Sequence, residues 1–317
     1  MEKYALVTLI LIIASFIYLK LAIKYKIIDK PNERSSHTKI TVRGGGIIFT
    51  IAILLFYLFN DYQYPYFLLG VLIISIISFL DDILTLSSKI RFPFQFLSVF
   101  LILYQIGFPF SPIYLFFFAL IFGVGIVNMF NFMDGINGIT GLYSLSSLLG
   151  LYLINSQENI VNSDIIIYSA ISLLIFGFFN FRKKALFFAG DIGSITIGML
   201  IFFIGLYFTY VLESPLILLT VIVYGADASN TLIYRKFYTN ESIFEAHRHH
   251  IYQKLVHKKK ISHIKVSLIY ALIQIIVNLI VYKSYSLDLQ TQILIFISLV
   301  SLFIFMYVFL FQKLKIS

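Results

Sequence analysis

Long apolar runs broken by short polar segments set the pattern of this chain. The runs predict helices near 4–23, 44–60, 64–80, 93–106, 113–127, 139–154, 165–179, 194–212, 215–233, 264–282 and 291–312, eleven in all. Most approach the ~20 residues that cross a bilayer core. The expected fold is all-α: a polytopic membrane protein of about eleven transmembrane helices, forming one integral membrane domain over 1–317. Its large loops are expected at about 24–43 and 234–264. The first run, Tyr4 to Ile23, carries no small-residue cleavage site and is expected as a retained helix.

Composition agrees. Hydrophobic residues make up 60% of the 317 positions and charged ones 12%, about half the usual charged share. With no cysteine, a disulfide framework and thiol chemistry are excluded. A net charge of +9 would suggest nucleic acid in a soluble protein, but here its distribution reports topology instead. Of the 24 Lys and Arg, the expected spans leave only Lys3 and Lys283 on one side. By the positive-inside rule the other face is cytoplasmic, with the N-terminus outside and the C-terminus inside.

Acids and amides break the pattern at the inner ends of the spans, where they are costly unless they bind something. The first inner loop ends in Arg43, Gly44, Gly45 and Gly46, and glycine there lets backbone approach a ligand or a neighbouring helix. The third run ends in the adjacent pair Asp81 and Asp82, followed by Lys89 and Arg91. Two neighbouring carboxylates disfavour each other's charge unless a cation is near. The fifth run leads into Asn128, Asn131, Asp134 and Asn137 at a spacing of three, which on a helical end forms one polar strip. Asp191 lies between Gly190 and Gly193 at the start of the eighth run, where an acid also suits a helix N-terminus.

The ninth run carries Asp227, with Arg235 two helical turns on. In the loop that follows, His247, Arg248, His249 and His250 form a dense donor cluster suited to phosphate oxygens. Ile243, Phe244, Ile251 and Leu255 there could line the apolar face of an interfacial helix. Lys258 to Lys260 read as topological charge or anionic-lipid contact. Gln274 and Asn278 in the tenth run read as packing.

With these residues placed, the chain resembles the polyprenyl-phosphate N-acetylhexosamine-1-phosphate transferases, the glycosyltransferase family 4 type. The resemblance runs through SSHTKITVRGGG, FLDD, NMFNFMDGINGITG, AGDIGS, DASNTLIYRK and EAHRHHIYQKL in order, and the last two runs look most like the O-antigen-initiating branch. It implies transfer of a sugar 1-phosphate from a UDP-N-acetylhexosamine to undecaprenyl phosphate, with release of UMP. This would be the first step of a cell-surface glycan, made at the bacterial cytoplasmic (inner) membrane. Magnesium is the implied cofactor, with manganese a permitted substitute.

By the same resemblance Asp81, Asp82 and Asp134 would be catalytic, and Asn131 and Asp191 metal ligands. Asn128, Asn137, Lys89, Arg91, His247, Arg248 and His250 would bind substrate. Many relatives carry a second Asp where this chain has Asn137, so a catalytic role for that position is in question. The implied partners are the nucleotide sugar, the lipid phosphate and membrane lipid, with no nucleic acid and with a homodimer left open.

The chemistry is coherent. A lipid phosphate attacking a diphosphate brings two anions together, and a hard metal on oxygen ligands with Arg and His donors would neutralise both. A transporter or lipid flippase is the alternative, but transporters place polar sites near the midplane, whereas these acids lie at the inner rim. A prenyltransferase would need acids repeated at three- or four-residue intervals, which the chain lacks.

Overall fold

The computed structural model describes residues 2–29, 40–239 and 248–315. It is almost entirely helical. In chain order the helices are α1 (Glu2–Lys24), α2 (Ile47–Phe59), α3 (Pro65–Leu84), α4 (Ser88–Gln105), α5 (Ile113–Met133), α6 (Ile139–Glu158), α7 (Asp164–Asn180) and α8 (Gly190–Val211). A 3-10 helix at Pro215–Val221 feeds α9 (Ile222–Tyr238), followed by the short α10 (Ile251–His257), α11 (His263–Ser284) and α12 (Leu289–Lys315). Each of the eleven expected spans falls on one of these helices, and α10 lies in the last large loop. Among the described residues, seven helical segments are long and apolar enough to cross a membrane. The chain is a multi-pass membrane protein.

The lipid-like exterior is visible in α1, where Leu9, Ile13, Phe16 and Ile17 stand exposed while Val7, Leu11 and Ala22 are buried. That inversion suits a hydrocarbon solvent, in which exposed Leu and Ile carry no penalty. At the centre, α8 is buried on nearly every side and packs against α3 and α5. A second layer pairs α6 with α11.

Between the 3-10 helix and α9 the regular hydrogen-bond ladder is interrupted, and at this depth freed backbone groups must be satisfied by protein. Gln274 of α11 does most of this. Its Oε1 accepts from the Val223 N–H at 3.2 Å and from the Tyr143 hydroxyl at 2.7 Å, while its Nε2 donates to the Leu219 carbonyl at 2.9 Å. The Tyr224 N–H donates to the Tyr143 hydroxyl, and the two tyrosine rings stack with centroids 3.5 Å apart. Asn278 carries the network on to the Ser146 carbonyl. Gln274 and Asn278 therefore complete a broken helix, a role beyond the packing that their positions suggested.

Candidate active site

The glycine-rich turn after Arg43 and the segment before α8 are brought together by backbone pairing. Gly45 N–H donates to the Phe188 carbonyl at 2.8 Å, Gly46 N–H to the Ala189 carbonyl at 2.9 Å, and Phe188 N–H to the Val42 carbonyl. A side chain is excluded at this junction: a Cβ on Gly46 would lie 2.2 Å from the Gly193 Cα. Gly190 has φ of +72°, and a Cβ there would meet an Asp82 carboxylate oxygen at 2.5 Å. Its missing side chain lets α8 begin directly against the end of α3.

That contact fixes the acids. Asp82, its carboxylate fully buried, accepts from the Asp191 N–H at 2.8 Å and the Ile192 N–H at 3.2 Å, two donors left over in the first turn of α8. Asp81, one position earlier and turned about 100° around the helix, faces elsewhere. It accepts from the Leu86 N–H at 2.6 Å and from Arg91 at 2.7 Å.

Two arginines then tie three carboxylates together. Arg43 reaches Asp82 through Nε at 2.6 Å and Asp191 through a terminal nitrogen at 2.8 Å. Arg91 holds Asp81 at 2.7 Å and Asp191 at 3.2 Å with a single terminal nitrogen. The Tyr18 hydroxyl donates to the Arg43 carbonyl and steadies that turn. Sequence reading left Arg43 out of the site. The signal was present, since Arg43 immediately precedes the glycines, but a basic residue in a basic loop does not stand out.

The polar strip expected along the end of α5 divides among several tasks. Asn128 pairs amide-to-amide with Gln95 of α4 at 2.7 and 3.2 Å. The helix stops at Met133, so Asp134 caps it and Asn137 lies beyond in the turn. Asn131 contacts the Ser194 hydroxyl at 3.4 Å, one turn into α8 from Asp191, and its amide also acts on the Asp191 carboxylate. Asp134 accepts from the Thr140 hydroxyl and is partly reachable from solvent yet densely surrounded. Burial pushes its carboxyl up to about 7, with the Thr140 hydrogen bond pulling the other way. Asn137 is buried, and its amide donates to the Arg182 carbonyl at 2.9 Å. Lys89 is exposed and, among the described residues, makes no ion pair with the cluster.

The loop after α9 reaches the same rim through α10. Its Tyr252 hydroxyl donates to the Phe132 carbonyl at 3.2 Å, two residues before Asp134. The short α10 is buried among its neighbours at Ile251, Tyr252, Gln253, Lys254 and Val256. Arg248 and His249 are half-buried, whereas His250 is buried on Asp227. His247, Ile243 and Phe244 lie outside the described residues.

The donor set can be tested against a divalent metal. Among the described residues, no three His, Asp or Glu side chains converge as a protein-only cage. Magnesium does not need one, because it commonly takes one or two protein oxygens together with waters and substrate phosphates. The ion pairs join three carboxylates to two guanidiniums, leaving an excess of negative charge that a cation would offset. Asp191 and Asn131 provide adjacent hard oxygens. The residues present fit such an ion.

Comparison with known proteins finds relatives of one kind. Residues 64–209 match the family described as "Glycosyl transferase family 4". A Bacillus subtilis protein named "Probable undecaprenyl-phosphate N-acetylglucosaminyl 1-phosphate transferase" is 28% identical over 266 residues, covering 75% of this chain and 72% of that protein. The Salmonella typhi protein named "Undecaprenyl-phosphate alpha-N-acetylglucosaminyl 1-phosphate transferase" is 28% identical over 274 residues, covering 78% of this chain and 74% of its own length. The matched stretch of the family runs from the start of α3 almost to the end of α8, the part that carries all four rim acids.

Proposed function

The chain belongs to the polyprenyl-phosphate N-acetylhexosamine-1-phosphate transferase superfamily, and from that premise we propose that it transfers the sugar 1-phosphate of a UDP-N-acetylhexosamine to undecaprenyl phosphate. An oxygen of the lipid phosphate forms a bond to the phosphorus that bears the sugar. The bond from that phosphorus to the oxygen bridging to UMP breaks, and UMP leaves. The product is undecaprenyl-diphospho-sugar, a starting unit for a surface glycan such as O-antigen, capsule or teichoic acid. The relatives' names favour N-acetylglucosamine as the sugar.

One observation carries the reading: Asp81 and Asp82 at the end of α3 and Asp191 at the start of α8 interlock with Arg43 and Arg91 at the basic end of the bundle. Arg43 and Arg91 hold the carboxylates at fixed separations, so charge is organised before substrate arrives. Asp81 faces Arg91 at the rim and is the group to orient the acceptor phosphate and take up its proton. Asp134, with a carboxyl raised to about 7, can hold or release a proton near neutrality beside the donor. Arg248 supplies a planar fork for the donor diphosphate. Asp191 and Asn131 would hold magnesium, which when bound supplies positive charge against the diphosphate.

The rim acids are proposed to face the bacterial cytoplasm, where nucleotide sugars are made, with the N-terminus outside, the C-terminus inside and eleven spans. Single cysteines in this Cys-free chain check the orientation. Impermeant reagent should reach position 159 from outside and position 259 only after permeabilisation, and labelling of 259 in intact cells would overturn it. The reaction is tested with purified protein, undecaprenyl phosphate and a panel of UDP-sugars, following UMP. Turnover is expected with UDP-N-acetylhexosamines and with no UDP-hexose lacking the acetamido group. Absence of UMP release across the panel would refute the assignment.

A further inference from the structure

Asp227 belongs to none of the roles assigned above, yet it is the most heavily bonded acid among the described residues. Its carboxylate is fully buried and accepts from five donors on three segments. These are the Tyr270 hydroxyl of α11 at 2.6 Å, the Ile251 and Tyr252 N–H groups at 3.0 and 3.3 Å, His250 Nδ1 at 3.2 Å, and the Thr231 hydroxyl of α9 itself at 3.2 Å. A carboxylate at this depth is expensive, and packing alone would be served as well by an apolar side chain. What an apolar residue could not do is fix the start of α10, whose first N–H groups have no partner within the helix.

The far side of α10 is fixed as well. The Lys254 ammonium lies 5.0 Å from the Tyr234 ring and 4.0 Å from the Phe311 ring, and the two rings stack on each other. The Lys258 ammonium donates to the Leu314 carbonyl at the end of α12 at 2.9 Å, a favourable place for a cation beside a helix C-terminus. Tyr252 links the same helix to the carbonyl of Phe132. So a seven-residue helix is tied to α9, α11, α12 and the end of α5. The residues on its leading side are Arg248 and His249, two positions and one position before His250.

We infer that Asp227 is a positioning residue for nucleotide-sugar binding: by gripping His250 and the first N–H groups of α10, it sets where Arg248 meets the donor diphosphate. The inference rests on the donor-binding reading of Arg248 given above. In this arrangement His250 serves the loop from behind, and the donor-facing contact falls to Arg248. Losing the grip frees the loop, so its ordering must then accompany donor binding and weakens it. The acceptor phosphate, held at the Asp81 end, is left alone.

The test uses the full-length protein as wild type, Asp227→Asn and Tyr270→Phe, with three readouts. These are KM for UDP-sugar and for lipid phosphate, Kd for UDP alone, and amide exchange over residues 249–257 without ligand. Asp227→Asn should raise the UDP Kd and the UDP-sugar KM about tenfold, hold the lipid KM within about twofold, and speed exchange at Ile251 and Tyr252. Tyr270→Phe, which removes one donor and stands in if the first variant does not fold, should move the same readouts by about threefold. Unchanged UDP affinity and unchanged exchange in a folded variant would overturn the inference, as would equal losses for both substrates. A wild-type protein that binds no UDP would instead sink the functional reading on which the inference rests.

Discussion

Arg43→Lys separates the geometry of the ion-pair cluster from its charge. Lysine preserves the positive charge but replaces a planar fork with one point donor. Arg43 uses two different nitrogens, Nε to Asp82 at 2.6 Å and a terminal nitrogen to Asp191 at 2.8 Å, and the two acids sit on different helices. One ammonium cannot reproduce both contacts at those separations. The loss of one hydrogen bond to a charged group is worth about 1.5–3 kcal/mol. If that bond sets Asp191 for the transition state, kcat/KM should fall about 10- to 150-fold. Stability should change much less, because Asp82 keeps two backbone donors at the start of α8. Arg91 provides an internal control. It reaches both of its acids from a single nitrogen, at 2.7 and 3.2 Å, so Arg91→Lys can place an ammonium where that nitrogen lies and should lose no more than about fivefold. The assay is initial-rate UMP release from purified variants, with thermal unfolding in parallel. A folded Arg43→Lys protein within about twofold of wild type, or an Arg91→Lys loss as large as that at 43, would refute the reasoning.

Three further outcomes follow from the same contacts. Asp191→Asn removes one anionic oxygen from a hard-cation site and should abolish transfer in a folded protein; near-normal turnover at ordinary magnesium would mean that Asp191 only caps α8. Arg248→Lys should cost roughly 30- to 150-fold in kcat/KM for the UDP-sugar, whereas replacing the exposed Lys259 and Lys260 together with Ala should leave it unchanged, and equal losses would reduce Arg248 to general surface charge. Gln274→Leu strands the Leu219 carbonyl and the Val223 N–H at the break before α9, so it should destabilise the protein by roughly 2–6 kcal/mol, read as a lowered unfolding midpoint, and an unchanged midpoint would show that the break is satisfied some other way.

The sequence by itself determined the membrane character, the positions of the helices and the polar segments that gather at one end. Each follows from local composition: an apolar run of about 20 residues has one stable use, and an acid beside glycines at its end stands out against the run. What the tertiary structure decided is which of those polar groups meet. Asn128 and Asn137 had the same sequence credentials as Asn131, but the end of α5 at Met133 and the neighbouring helices send the first to Gln95 and the second to a loop carbonyl. His250 looked like a ligand for phosphate and is a partner for Asp227, because α9, α10 and α11 close around it. Arg43 looked like topological charge, yet backbone pairing between its turn and the start of α8 carries it to two acids. Gln274 looked like packing until a helix break far off in sequence left two backbone groups beside it. In each case the deciding partner lies more than 20 residues away in the chain. Spacing along a chain reports the face of a single helix, whereas the pairing of polar groups at depth is fixed by which helices pack together and by the backbone groups that packing leaves unsatisfied.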